Sequence, residues 1–414
     1  MKKTIISAMV LVLSPLCTSA QIRTLNEYMQ AVAEKNVSYL AEKYNIDIAV
    51  SNIQAARIFN DPELSLDYGN NQDWYLEMGQ SVEVGLSYDL DIAGVRRSGI
   101  KVAKSEKDVT EASVAAFLSG LRLEAASAWA DAWRLRESVG ILRETMEDMQ
   151  RIAKNDSLRF VLGDISKADA LQSKLEANSL EGEYLMMESE YRNALLSLSD
   201  YCGGDIVTDM DADLPKRSFS KDREELFTMA EYNRADLKVA ELTRTLSENN
   251  LALVKASRSF DMGISLGYSY NTEVRNEIAP APKYNGLTVG VSIPLKFSSM
   301  NRGEVNAARA GIQQAERAYE AALMQVRTEV SQALNSLDAA RTVLARYDSS
   351  MLGDAREIME SRRMGYLKGD SSILELITAQ QTYRDVMQGY IDASADLFLR
   401  QIELEYAIGD SNSI

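Results

Sequence analysis

The chain has 414 residues, 46% of them hydrophobic, and its 61 acidic side chains outnumber 45 basic ones for a formal net charge of −16. That balance leaves no basic footprint for nucleic acid. There is no histidine, which removes any Ser-His-Asp or Cys-His catalytic site and any imidazole metal ligand.

Residues 1–20 read as a secretory signal peptide. Met1-Lys2-Lys3 is a basic start, Thr4 to Leu16 an apolar run, and Cys17-Thr18-Ser19-Ala20 a small-residue cleavage site. The run is too short to span a bilayer. A lipidated Cys17 fits less well, because Leu16 is bulky where a small residue is expected and Ala20 offers the better cut. The mature chain is expected to begin at Gln21, outside the cytoplasm, with Cys202 as its only cysteine and no intrachain disulfide. No later stretch is apolar enough to cross a membrane as a helix, so any membrane entry must use strands of a closed barrel.

The first half of the mature chain, 21–214, opens with a helical segment over 24–59, where Leu25, Met29, Val32 and Ala33 recur at helical spacing. A β-hairpin follows at about 63–90, its second arm alternating Val82, Val84, Leu86, Tyr88 and Leu90 with Glu83, Gly85, Ser87 and Asp89. In the polar loop between the arms, Trp74 beside Tyr75 suits a membrane interface. No proline falls between Val95 and Leu214, so the chain from Arg97 to about Leu162 can run as one helix. At 1.5 Å per residue that is roughly 100 Å, useless to a compact domain but suited to a tube. Small residues such as Ala125-Ala126-Ser127-Ala128 let such helices pack closely. The helix should reverse at a tip at about 160–166 and return as a second long helix. An irregular link over 201–221, with Gly203-Gly204 and Pro215, closes the unit.

The second half, 215–414, repeats the same order of parts. Ala33, Asn36 and Leu40 answer Ala230, Asn233 and Leu237. ELSLDYG at 63–69 answers GISLGYS at 263–269, and VGLSYDL at 84–90 answers VGVSIPL at 289–295. Arg97 and Ala103 answer Arg302 and Ala308, and the tip Gly163-Asp164-Ile165-Ser166 answers Gly369-Asp370-Ser371-Ser372. This places a helix at 222–259, a hairpin at about 261–296 and a tip at about 366–372. In that hairpin Met262, Ile264, Leu266, Tyr268 and Tyr270 alternate with small residues, as do Leu287, Val289, Val291, Ile293 and Leu295.

Strands of about 10 residues with one apolar and one small, polar face suit a barrel wall between lipid and a wet lumen. Four strands cannot close a barrel, since the smallest have about eight. The membrane reading therefore demands oligomerisation, and a trimer supplies twelve strands. The expected fold is mostly α with a membrane β-barrel: long antiparallel helices forming an α-barrel, and four strands per protomer. A rival is a soluble periplasmic coiled-coil adaptor or scaffold, which shares the helices but gives no reason for four amphipathic strands. A carboxylate-only hydrolase stays formally open. Scattered methionines such as Met146, Met149, Met186 and Met187 read as packing before they read as soft-metal ligands.

Over nearly all of its mature length the sequence resembles the TolC family of outer-membrane efflux and secretion channels. Ser292-Ile293-Pro294-Leu295 followed by Asn301-Arg302-Gly303 is similar to that family's strand-to-helix passage, although Asp89 replaces the usual proline in the first copy. Gly365-Tyr366-Leu367-Lys368-Gly369-Asp370-Ser371-Ser372 resembles its periplasmic tip, with Arg159-Phe160-Val161-Leu162-Gly163-Asp164-Ile165-Ser166 as the first-copy tip. Gly163 and Gly369 suit a tight reversal, and Asp164, Ser166, Asp370 and Ser372 are residue types that cap the next helix. The resemblance implies a homotrimer in the outer membrane of a Gram-negative bacterium, reaching into the periplasm. It implies that Phe160, Gly163, Asp164, Ser166, Tyr366, Gly369, Asp370 and Ser372 dock a periplasmic adaptor coupled to an inner-membrane transporter. It also implies that Asp169 and Glu375 line the pore constriction, with uncharged Thr378 where a second acid is usual. Tyr366 matches an aromatic of an inter-helix latch whose arginine place holds Ser371, so the latch must differ. No cofactor and no catalysis are expected.

Overall fold

A computed structural model describes residues 22–71, 77–207, 210, 213–215, 222–259, 261–295, 297 and 302–410. The signal peptide, Trp74 and Tyr75, and Asn301 of the strand-to-helix motif lie outside the described residues.

The elements follow the duplicated order. The first copy has helices α1 (Leu25–Lys35) and α2 (Val37–Ala56), strands β1 (Glu63–Asn70) and β2 (Gln80–Leu90), and helices α3 (Val95–Leu162) and α4 (Lys167–Tyr201). The second has α5 (Arg223–Asn233), α6 (Ala235–Ser257), β3 (Met262–Asn271), β4 (Tyr284–Ser292), α7 (Gly303–Arg346), α8 (Leu352–Lys368) and α9 (Ile373–Ala407). A π-helical turn, Tyr347–Met351, joins α7 to α8.

Two expectations are corrected. The opening helix of each copy is two helices, broken at Asn36 and at Arg234. Both residues take extended backbone, and each break is held by the helix that follows it together with a partner from elsewhere in the fold. The Asn36 side chain accepts from the Tyr39 N–H at 2.9 Å and donates to the Tyr201 carbonyl at 3.1 Å. Buried Arg234 grips Asp236 at 2.9 and 2.5 Å, and reaches Glu329 on α7. The structural equivalence is thus Asn36 with Arg234, one residue off the Asn36–Asn233 match. The second correction is that the long helix of the second copy is interrupted by the π turn, whereas α3 runs unbroken for 68 residues. At 1.5 Å per residue α3 is about 100 Å long.

Three apolar clusters hold the helical body. The largest joins α1, α3, α4 and α9 around Trp129, Trp133, Leu198 and Phe398, with the Tyr28 and Trp129 rings 5.1 Å apart. Ala125 and Ala126 are fully buried there, which lets the neighbouring helices approach. Cys202 is buried in the same cluster, and burial pushes its thiol pKa up to about 12. A second cluster lies at the tips, where Met149, Leu180, Tyr366, Ile373 and Leu376 meet. Met146 and Met187 pack against it, as the packing reading expects. A third joins α5, α7 and the end of α9 through Leu226, Val330, Leu337 and Leu404.

The four strands form one antiparallel sheet in the order β1-β2-β3-β4. No helix among the described residues is long and apolar enough to cross a membrane.

Candidate functional site

Two places carry functional geometry: the sheet and the paired helix tips. The strand register sorts side chains cleanly by face. Leu64, Leu86, Leu266 and Val289 lie in one row across all four strands, and Leu66, Val84, Tyr68 and Val82 extend that face. The other face carries Ser65 opposite Gly85, Ser265 opposite Gly290 and Ser269 opposite Gly286, with Glu83 and Asp67 among them. The apolar face is bare: Leu66 is 74% exposed and Val289 75%. On water such an area would be a large hydrophobic patch, which calls for a nonaqueous neighbour. The outer edges of β1 and β4 have no partner strand in the four-stranded order, and open edges of this kind invite pairing with another chain.

The two tips are built alike. Gly163 and Gly369 close α3 and α8 in the left-handed region, at φ 83° and φ 86°. The Asp164 N–H donates to the Arg159 carbonyl at 2.8 Å and the Gly163 N–H to Phe160 at 3.0 Å. Asp370 and Gly369 repeat this with Gly365 and Tyr366, at 2.8 and 3.1 Å. This crossed pair is a Schellman closure, and its φ > 0 residue is best filled by glycine. Ser166 and Ser372 then cap α4 and α9, accepting from the Asp169 and Glu375 N–H groups at 3.1 and 3.2 Å. Asp164 and Asp370 do not cap the next helix, contrary to the sequence expectation. Their backbone N–H groups finish the preceding one, and both side chains are exposed.

Of the eight tip residues, Phe160, Gly163, Asp164, Ser166, Gly369, Asp370 and Ser372 are exposed together at one end of the helical body. Tyr366 is not: it is 5% exposed, in the cluster beneath. Its hydroxyl donates to Asp156 Oδ2 at 2.7 Å, and the Arg159 guanidinium lies 5.8 Å from its ring. Burial first, and then the Asp156 carboxylate, push the Tyr366 pKa well above 10. A second tie runs from Arg363 on α8 to Asp148 on α3 at 2.8 Å, and Gln380 of α9 reaches the same carboxylate at 3.3 Å. Asp156, Asp148 and Arg363 escaped the sequence reading. The partners are more than 200 residues apart in the chain, and only the matched tips hinted that the two hairpins lie together.

Asp169 and Glu375 occupy equivalent places in the first turns of α4 and α9, where a helix N-terminus favours a carboxylate. Asp169 accepts from the Ser166 hydroxyl at 2.7 Å, and Glu375 pairs with Arg362 at 3.3 Å. Thr378 donates its hydroxyl to the Leu374 carbonyl at 2.8 Å.

A sheet with one bare apolar face and two open edges, set on a helical body with a ~100 Å helix, defines an outer-membrane channel protein. The chain belongs to the outer membrane efflux protein family, whose profile matches residues 29–204 and 226–410, one stretch in each copy. It is an efflux channel of the Gram-negative outer membrane, and the family is one of channels and not of enzymes. The chain is 21% identical to the outer membrane protein TolC of Vibrio cholerae, over 96% of this chain and 95% of that one. It is also 21% identical to the cobalt-zinc-cadmium resistance protein CzcC of Cupriavidus metallidurans, covering 93% and 90%. Its fold matches the Campylobacter jejuni CmeC outer membrane channel with a TM-score of 0.76 at 14% identity, over 93% and 85% of the two chains.

Proposed function

We propose that three copies of this chain close a twelve-stranded barrel, the β4 edge of each protomer pairing with the β1 edge of the next, above a tube of their long helices. The observation that carries this is the sheet, with open edges on both sides and an apolar face 38–75% exposed at residues such as Val82 and Val289. A neighbouring protomer satisfies the edges and lipid covers the face. Exposed apolar residues of α2, among them Val37, Tyr44 and Ile48, supply further surface for contact between protomers. Residues 1–20 direct export and are removed. The assembly is a passive conduit; an inner-membrane transporter supplies the energy through a periplasmic adaptor.

The adaptor docks on the exposed tips, at Phe160, Gly163, Asp164, Ser166, Gly369, Asp370 and Ser372, with Tyr366 supporting them from beneath. Asp169 and Glu375 face the narrow end, where a ring of carboxylates favours cations. Opening shifts the tip helices between two packings, and the ties Tyr366–Asp156 and Arg363–Asp148 belong to the closed one. Membrane fractionation followed by mass measurement of the detergent-solubilised particle tests the reading. A three-protomer particle in the outer-membrane fraction is expected; a soluble monomer or dimer in the periplasm would overturn it.

A further inference from the structure

Between their matched arginines and their tip glycines, the long helical arms of the two copies differ in length by a single residue. Arg97 and Arg302 stand 205 apart, as do Ala103 and Ala308, but the tip glycines Gly163 and Gly369 stand 206 apart. The second copy therefore carries one extra residue between Ala308 and Gly369. A π turn is how a helix absorbs one extra residue without losing its register beyond it. The π turn at Tyr347–Met351 falls inside that interval, and α3 has no counterpart.

Its surroundings divide the second hairpin in two. On one side, α7 is anchored by Val326, Val330, Ala333 and Leu337 to α5 and the end of α9. On the other, α8 joins the tip cluster through Tyr366 and is tied to α3 at Asp156 and Asp148. Neither Tyr347 nor Met351 of the π turn belongs to either cluster. Across from it on α9 stands Gly389, where a Cβ would meet the Tyr347 hydroxyl and fall 3.0 Å from its Cζ. The Tyr347 ring also meets Tyr390 edge to face at 6.5 Å. Gly389 likewise sits between the α9 residues of the tip cluster, ending at Leu376, and those of the upper cores, starting at Ile391. Both helices of the hairpin thus carry an irregularity at the same level, an interrupted ladder in one and a glycine in the other, the kinds of place where helices bend.

We propose that the π turn Tyr347–Met351, bearing on Gly389, is the hinge on which the second-copy tip swings when the channel opens. This rests on the reading of the chain as a gated channel. The extra residue is then a functional insertion: it unlinks α8 from α7, so that breaking the Asp156 and Asp148 ties frees the tip without disturbing the core around Leu337.

Two measurements test it. Deleting Ser350 removes the extra residue and allows one continuous α-helix, as in α3. Outer-membrane trimers should form at normal levels, and export by cells carrying the cognate transporter and adaptor should fall on the order of tenfold, the size of a typical coupling between sites. Normal export from a Ser350-deleted trimer would overturn the hinge. Should the deletion prevent assembly, amide exchange of the wild-type trimer decides. Residues 347–351 should exchange at least about tenfold faster than 141–145 of α3, as expected for a locally opening segment. Equal protection at the two sites would overturn the proposal. A particle that is not trimeric would count against the channel reading itself, while the exchange contrast between 347–351 and 141–145 is read on the chain in either case.

Discussion

In the helical body large apolar side chains are hidden, and in the sheet the same kinds of side chain are bare. Trp129 is 1% exposed and Leu198 0%, while Leu66 is 74% and Val289 75%. One chain thus follows two solvation rules. The helices obey the aqueous rule, in which burial supplies the driving force. The sheet obeys the lipid rule, in which the apolar face points outward and every backbone group must be paired by closing the sheet. The contrast teaches that a strand's period-two pattern does not say which side is wet. What decides it is the residue size on the second face, here glycine and serine, together with the open edges.

The largest effect should come from the aqueous side. Trp129→Ala removes the centre of the main core and should cost about 3–5 kcal/mol, read as loss of helical circular dichroism at a lower temperature. Leu266→Arg puts a charge in the middle of the apolar face and should cost about 2–4 kcal/mol, read as less trimer in the outer membrane. Ser265→Lys, one residue away on the other face, should leave trimer yield unchanged and alter single-channel conductance. If Leu266→Arg were harmless and Ser265→Lys disruptive, the faces would have been assigned the wrong way round.

Smaller effects lie at the tips. Gly369→Val forces a β-branched residue into a left-handed conformation at φ 86°, a strain of about 1–2 kcal/mol. Export should fall while trimers persist; loss of trimers would make Gly369 a folding residue and not a docking one. Tyr366→Phe should weaken the closed tip by about 1 kcal/mol, one net hydrogen bond, read as higher spontaneous conductance. Because the Tyr366 pKa is raised in the folded state, its contribution is complete below the ordinary tyrosine value near 10 and is lost as pH climbs through the raised one. Wild-type channels should therefore open more readily above pH ~10, and Tyr366→Phe channels should not show that rise.

Much of this was legible in the sequence, for reasons that can be named. The strands announced themselves because Val82, Val84 and Leu86 alternate with glycine, serine and acids, and the register keeps all of them on one face. The tips were legible because few residues but glycine accept the φ values of Gly163 and Gly369, and serine is a good cap. The break at Asn36 was not, because the apolar spacing of Leu25, Met29 and Val32 continues smoothly to its edge, and the local cap on Tyr39 is completed by a partner on α4, the Tyr201 carbonyl. Arg234 is hidden from the sequence in the same way, since one of its partners is a carboxylate on α7. The sequence points to Asp164 and Asp370 as caps because aspartate is a common one, and only the backbone path shows that serine takes that place. Tyr366 was placed on the tip by its neighbours in sequence, while the partner that draws it inward is 210 residues away.

The pairing of serine with glycine across the strands has a further consequence. Where Ser65 faces Gly85 and Ser265 faces Gly290, the side chains reach no further than a hydroxymethyl, and the longer groups on that face are polar, Glu83 and Asp67 among them. A cargo sliding along such a lining meets short hydroxyls whose hydrogen bonds water can replace at once, and few footholds for greasy groups. Among uncharged cargoes such a lining offers little to sort by, and its carboxylates set a preference by charge alone. A change of uncharged cargo then need not touch this face of the sheet at all.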